Sequence, residues 1–217
     1  LGQQVLIIAA NASLVLDSTL TCEGTVQNYG TLFSNGLMVF ESGAEVQNHG
    51  SWSTESLYYF FTPGVYDTLL NTGSLHVADT AWFSTYYPLV LNSGTITGDH
   101  FEFSSVVNDG VIMVRNMYCY GTTSNAGIVN CSHYLWVWIG FSCEPNGRTE
   151  ADSIIVTGHL DVYSSDATAH DNWTTRDPAW ARLAAAVESL RQMQAKDGSI
   201  DLGEFAAASG QFDDVDL

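Results

Sequence analysis

The stretch TVQNYGTLFSNGLMVF (25–40) is rewritten twenty positions later as EVQNHGSWSTESLYYF (45–60). Apolar residues followed by Asn-x-Gly recur at Asn28/Gly30, Asn48/Gly50, Asn71/Gly73, Asn92/Gly94 and Asn108/Gly110. A sixth copy, Asn125/Gly127, lacks the apolar lead. Successive asparagines lie 20, 23, 21, 16 and 17 residues apart. IIVTGHLDVY (154–163) reads as a further copy with Val at the Asn place, and VLIIAANASLVL (5–16) as an irregular first one. A period in this range marks a chain that builds one supersecondary unit repeatedly, each copy stacked on the last.

After each N-x-G comes short alternation, as in TLFSNGLMVF, SLHVADTAWF, TITGDHFEF and VIMVRNMYCY. That is the period of two of a strand, interrupted every few residues by Gly, Asn, Asp or Ser. Helix signals are absent through residue 165. The expected fold is an all-β parallel β-solenoid (β-helix) of about seven to eight rungs over 1–168, with a small helical appendage over 172–217. At ~4.8 Å per rung such a rod is roughly 35–40 Å long. In this reading Gly supplies a φ > 0 corner, Asn tolerates the left-handed region, and stacked Asn side chains form a ladder. A sandwich of regular hairpins is the competing all-β fold.

The units VQNYGTLFSNG, LNTGSLHV and LNSGTITG resemble the degenerate NxGT-hydrophobic repeats of bacterial cell-surface parallel β-helix proteins, adhesin and autotransporter passenger domains among them. The resemblance spans about residues 5–165. It implies a rod used for adhesion, coating or scaffolding, and occasionally for polysaccharide chemistry.

Charge narrows the partners. The net charge is -18, and all six basic residues lie at or beyond Arg115, so the first 114 residues hold ten acids and no Lys or Arg. Such a surface repels phosphate backbones and anionic lipid, which argues against nucleic-acid binding and polybasic membrane docking. It equally disfavours polyanionic sugars. No apolar run approaches the ~20 residues of a membrane helix.

Three stretches are apolar on both strand faces: LYYFF (57–61), AWFSTYYPLV (81–90) and YLWVWIGF (134–141). In the last, Leu135, Val137 and Ile139 are expected on one face and Tyr134, Trp136 and Trp138 on the other. One face fills the rod, so the second asks for a partner, which makes Tyr58, Phe60, Trp82, Tyr86, Trp136 and Trp138 interface candidates. Cover by the chain's own loops or its C-terminal segment, and stacking against neutral glycans, are the other readings. The N-terminal LGQQVLIIAA offers no charged or helical cap, which favours end-on or swapped assembly.

The four cysteines, Cys22, Cys119, Cys131 and Cys143, show no zinc spacing. In an oxidising setting they are disulfide candidates, with Cys131–Cys143 closing a loop around Trp136–Phe141 and Cys22 left for a distant partner. Sequons stand at Asn11, Asn130 and Asn172, and the chain begins with Leu1, in keeping with a removed leader or a trimmed chain. These features lean extracellular or cell-surface. A cytosolic protein with four reduced thiols is the alternative.

Near residue 170 the period changes. RDPAWARLAAAVESLRQMQAKDG (176–198) has Asp177 as N-cap, Pro178 at the first helical position, and a stripe of Trp180, Leu183, Ala184, Val187, Leu190 and Met193. KDGSIDLGEF resembles the second half of an EF-hand or dockerin calcium loop. Carried over by position, the resemblance implies Asp197, Ser199, Asp201 and Glu204 as ligand places for Ca2+. Met193 and Ala195 fall on the first and third places, where no oxygen is offered, against the six to eight oxygens calcium takes. A plain helix–turn–helix cap or docking module competes.

For catalysis, Asp99, His100 and Glu102 attract notice, with Asp161 or Asp166 to complete a carboxylate pair. As strand neighbours, Asp99 and His100 are expected on opposite faces. No nucleophile elbow, P-loop or HExxH motif occurs. The expected function is therefore non-enzymatic: a self-assembling subunit of a surface layer, sheath, filament or adhesive rod. A glycan-binding module is the alternative, and a polysaccharide-degrading enzyme a more distant one.

Overall fold

A computed structural model describes residues 5–41, 43–60, 68–83, 89–162 and 167–175, with side chains through 158. Among them every regular element is a strand. The first sheet contains β1 (Val5–Ile8), β4 (Thr25–Asn28), β6 (Glu45–Asn48), β8 (Thr68–Asn71), β10 (Leu89–Asn92), β12 (Ser105–Asn108), β14 (Thr122–Asn125), β16 (Gly140–Cys143) and β18 (His159–Val162), paired in that order. The second stacks β2 (Ser13–Leu16), β5 (Thr31–Phe40), β7 (Ser51–Tyr59), β9 (Ser74–Phe83), β11 (Thr95–Phe103), β13 (Val111–Cys119), β15 (Ile128–Val137), β17 (Arg148–Val156) and β19 (Ala167–Thr175). A short β3 (Leu20–Cys22) also pairs with β5. The strands pair in parallel, coil upon coil. The chain is a parallel β-solenoid of about seven regular turns, β4–β5 through β16–β17.

Unequal spacing of the asparagines has two sources. The shortest coil closes with the single residue Ser104 between β11 and β12, and the longest carries residues 60–67 between β7 and β8. The second source lies inside the long strands, where alternation is interrupted once. Two outward residues separate the inward ones in β7, β11, β13 and β17, and three do so in β5, β9 and β15. Register shifts occur wherever a strand of one kind pairs with one of the other. None interrupts β11 on β13, which are alike. This is the bulge rule at work in a stack.

The core is built in columns. Leu32, Trp52, Leu75, Ile96, Ile112 and Val129 fill the leading half of the second sheet, all buried. In its trailing half Phe40 stacks on Tyr59 (4.8 Å between centroids), Tyr59 on Phe83 (5.0 Å), and Phe83 meets Phe103 at 5.1 Å. Each such pair adds about 0.5–1.5 kcal/mol beyond its area burial.

The N-x-G corner departs from expectation in one respect. Gly43 (φ 86°) and Gly98 (φ 157°) are the positive-φ glycines among the described residues, and no N-x-G glycine is one. The requirement is space. A Cβ on Gly50 would strike the Gly30 carbonyl oxygen and lie 2.8 Å from the Tyr29 carbonyl carbon. The same collision repeats for Gly73 on Gly50, Gly94 on Gly73, Gly110 on Gly94 and Gly127 on Gly110. The coils approach so closely because each Asn carbonyl from Asn28 to Asn108 accepts two backbone N–H bonds, as Asn28 does from His49 (2.8 Å) and Gly50 (2.9 Å).

The asparagine side chains turn inward and are buried. Asn28 donates to Asn48 (2.8 Å), Asn48 to Asn71 (2.7 Å), Asn71 to Asn92 (2.7 Å), Asn92 to Asn108 (2.7 Å) and Asn108 to Asn125 (2.8 Å). Each amide also donates to a backbone carbonyl beyond the next glycine, such as Asn48 to Ser74 at 3.0 Å. Only an NH2 group can make that second bond, which sets the direction of the whole row. The row is closed at both ends by substitutes. Gly30 N–H donates to the Asn28 Oδ1 (3.2 Å), and Asn125 donates to the Thr149 hydroxyl (2.9 Å). Ile8 precedes the row in register; Cys143 and then Val162 continue it. Val156-Thr157-Gly158, expected from the sequence to be a copy of the repeat, instead stands at the end of β17, where Val156 pairs with Val137.

Candidate functional site

The strand rhythm turns Leu57, Tyr59, Ala81, Phe83, Phe101 and Phe103 inward, so the residues between them must face out. Their register makes one outer column on the trailing half of the second sheet. Val39 pairs with Tyr58, Tyr58 with Trp82, Trp82 with Glu102, Glu102 with Tyr118, Tyr118 with Trp136, and Trp136 with Ile155. Rings flank a carboxylate on both sides.

At one end Tyr58 and Phe60 meet Trp82 edge-on, with centroids 6.1 and 5.6 Å apart. At the other, Tyr118 meets Trp136 edge-on (5.6 Å), and Trp136 and Trp138 lie 6.2 Å apart with planes only 11° from parallel. Trp138 is 55% exposed. Ile139, expected inside, is 58% exposed, because β15 ends at Val137 and the alternation ends with it.

Glu102 is held in the centre by two donors. His100 Nε2 lies 2.9 Å from its Oε1, and the Tyr120 hydroxyl donates to its Oε2 at 3.0 Å. Burial, and then the Glu102 carboxylate, push the Tyr120 phenol up to about 12. Asp99 and His100 both face outward, contrary to expectation, because the β11 interruption puts both between the inward positions of Gly98 and Phe101. Asp99 reaches Arg115 on the next coil at 3.8 Å. Asp161 sits on β18 of the first sheet and Glu102 on β11 of the second, while Asp166 lies outside the described residues.

Of the other expected positions, Tyr86 and the segment Asp197, Ser199, Asp201 and Glu204 lie outside the described residues, as does the expected helix of 176–198. Among the described residues no three metal-ligating side chains converge. Asn11 is exposed in a turn and Asn130 exposed on β15; Asn172 falls on β19. No cysteine is joined to another in a disulfide. The expected Cys131–Cys143 bridge is not made, because the two stand in different columns. Cys131 is in register with Val114, and Cys143, in register with Asn125, lies 3.7 Å from the Thr149 hydroxyl. Burial raises the Cys131 thiol strongly, and Cys119 to about 11.

Sequence reasoning missed Tyr118, Tyr120 and the central place of Glu102. The signal was present as an offset. Tyr58, Glu102 and Tyr118 each lie ten residues after a ladder asparagine, and Trp82 and Trp136 eleven, the extra residue being that of the longer interruption.

The chain matches no family model, no curated protein and no solved structure. Its architecture stands on its own geometry.

Proposed function

We propose that this chain is a non-enzymatic structural solenoid of the extracellular space or cell surface, and that it assembles laterally with copies of itself through the outer face of its first sheet. One observation carries the reading. From β1 to β16, Glu45 is the single charged residue among the outward positions of that sheet, in a chain of net charge -18. Val5 (56%), Ile7 (60%) and Val107 are exposed there, and Leu70, Leu89 and Leu91 half-exposed.

Copies this acidic repel one another, so they approach best where both are neutral, and salt helps. The eight strands from β1 to β16, of about four residues each, offer roughly 500 Å² a side, or about 1,000 Å² in all, the lower bound for specific association. The resemblance to bacterial surface β-helix repeats supports the same reading. Among the described residues no helix is long and apolar enough to cross a membrane.

The test is sedimentation velocity and negative-stain electron microscopy of the full chain at low and moderate salt. Oligomers or filaments that strengthen with salt, and that vanish in Leu91→Lys/Val107→Lys with unchanged circular dichroism, are expected. Isolated rods for the unaltered chain at every salt concentration would falsify the proposal.

A further inference from the structure

The trailing half of the second sheet carries a different chemistry from the neutral first sheet, and we infer that it is a binding face for a neutral oligosaccharide, with Glu102 as polar anchor. A sugar ring presents an apolar face of C–H groups and a rim of hydroxyls. It needs aromatic faces for the first and fixed acceptors and donors for the second. Both are here in one column.

Trp136 and Trp138 make a near-parallel stacked pair, Tyr58, Phe60 and Trp82 a second ring cluster, and Glu102 stands in register between the two groups. Glu102 is prepared for the role. His100 and Tyr120 each occupy one of its oxygens, at 2.9 and 3.0 Å. A carboxylate has about four acceptor positions, so two remain for ligand hydroxyls on a group already held in place. Bonds of this charge-assisted kind are roughly twice as strong as neutral ones.

Geometry sets the length of the ligand. From the Tyr58 row to the Trp136 row is four coil spacings, roughly 19 Å at ~4.8 Å each, so the face suits an oligosaccharide laid across the coils rather than a single sugar. Charge sets the kind. The Glu102 carboxylate on this face, in a chain of -18, repels uronates and sulfated sugars, while Asp99 is offset by Arg115 at 3.8 Å.

The inference does not rest on lateral assembly, because the two faces share no residue. Full-length protein is run in affinity gels and titrated calorimetrically with soluble cello-, manno-, xylo- and chito-oligosaccharides, with polygalacturonate as the anionic control. Binding to a neutral member of the panel is expected. Trp138→Ala, whose exposed ring leaves the core untouched, should weaken it about tenfold, and Glu102→Gln about fivefold. Leu91→Lys should leave it unchanged. Failure of every neutral sugar, preference for polygalacturonate, or undiminished binding by Trp138→Ala overturns the inference. So does a Trp138→Ala variant whose one change is loss of oligomers, since the rings then serve a second copy.

Discussion

Asn71 donates its side-chain amide to Asn92 one coil later at 2.7 Å, and at the same time to the Thr95 carbonyl at 3.1 Å. It also accepts from Asn48 at 2.7 Å. Asn71→Ala therefore strands an amide donor on one side and a carbonyl acceptor on the other, both buried. At about 1–3 kcal/mol for each orphaned group, a loss of about 3 kcal/mol is expected in urea unfolding. Asn71→Asp should cost more, because it places a charged acceptor against two acceptors. A loss within the scatter of surface substitutions would mean that the row is ornament.

Gly94 lies over Gly73, and a Cβ added to it would strike the Gly73 carbonyl oxygen and lie 2.6 Å from the Thr72 carbonyl carbon. Its φ is not positive, so a backbone that any residue adopts is not the obstacle. Gly94→Ala should nevertheless destabilise by about 2–3 kcal/mol by forcing two coils apart. If left-handed conformation were the only demand on such glycines, the substitution would be neutral or mildly stabilising instead. Denaturant midpoints of the variant and the unaltered chain separate the two outcomes.

Phe83 sits between Tyr59 and Phe103 in the interior stack, at 5.0 and 5.1 Å. Phe83→Ala should cost about 3–5 kcal/mol, the usual loss for a buried ring, and reduce near-ultraviolet circular dichroism. Phe60→Ala, at an exposed ring, should cost little. Equal losses at the two positions would contradict the assignment of inside and outside.

Tyr120 titrates late because its neutral hydroxyl is favoured by burial and by the Glu102 carboxylate. Its folded pKa is raised above the free phenol value of about 10, so its contribution to stability is complete below that pH. The contribution is lost as pH rises through about 12. An ultraviolet titration should show a phenol ionising at about pH 12, and Tyr120→Phe should remove that step.

Thiol chemistry offers a further check. Cys119 and Cys131 are buried, and desolvation raises both thiols, so little thiolate exists at neutral pH. Ellman's reagent should leave them unmodified in the folded chain and reach them on unfolding. Rapid reaction in the native state, or a disulfide found by mass spectrometry between Cys131 and Cys143, would contradict their placement in separate columns.

The sequence by itself determined the repeat. Asn-x-Gly at one phase and alternation after it specify a parallel coil and the strand character of each side, because those preferences act between near neighbours. They also placed Asn28 through Asn108 on one line, and Asn125 with them even though its apolar lead is missing. What the tertiary structure alone decided concerns residues one coil apart, 16–23 positions away in the chain. Why Gly94 must be glycine is a question about Gly73, and where Glu102 stands depends on whether β9 and β11 are interrupted by three residues or two. Ile139 likewise lies outside the core because its strand stops before reaching it. Register between coils of unequal length settles each of these, since a slip of one residue turns a side chain from the core to the solvent. Local pattern carries the coil; only the stacking carries the face.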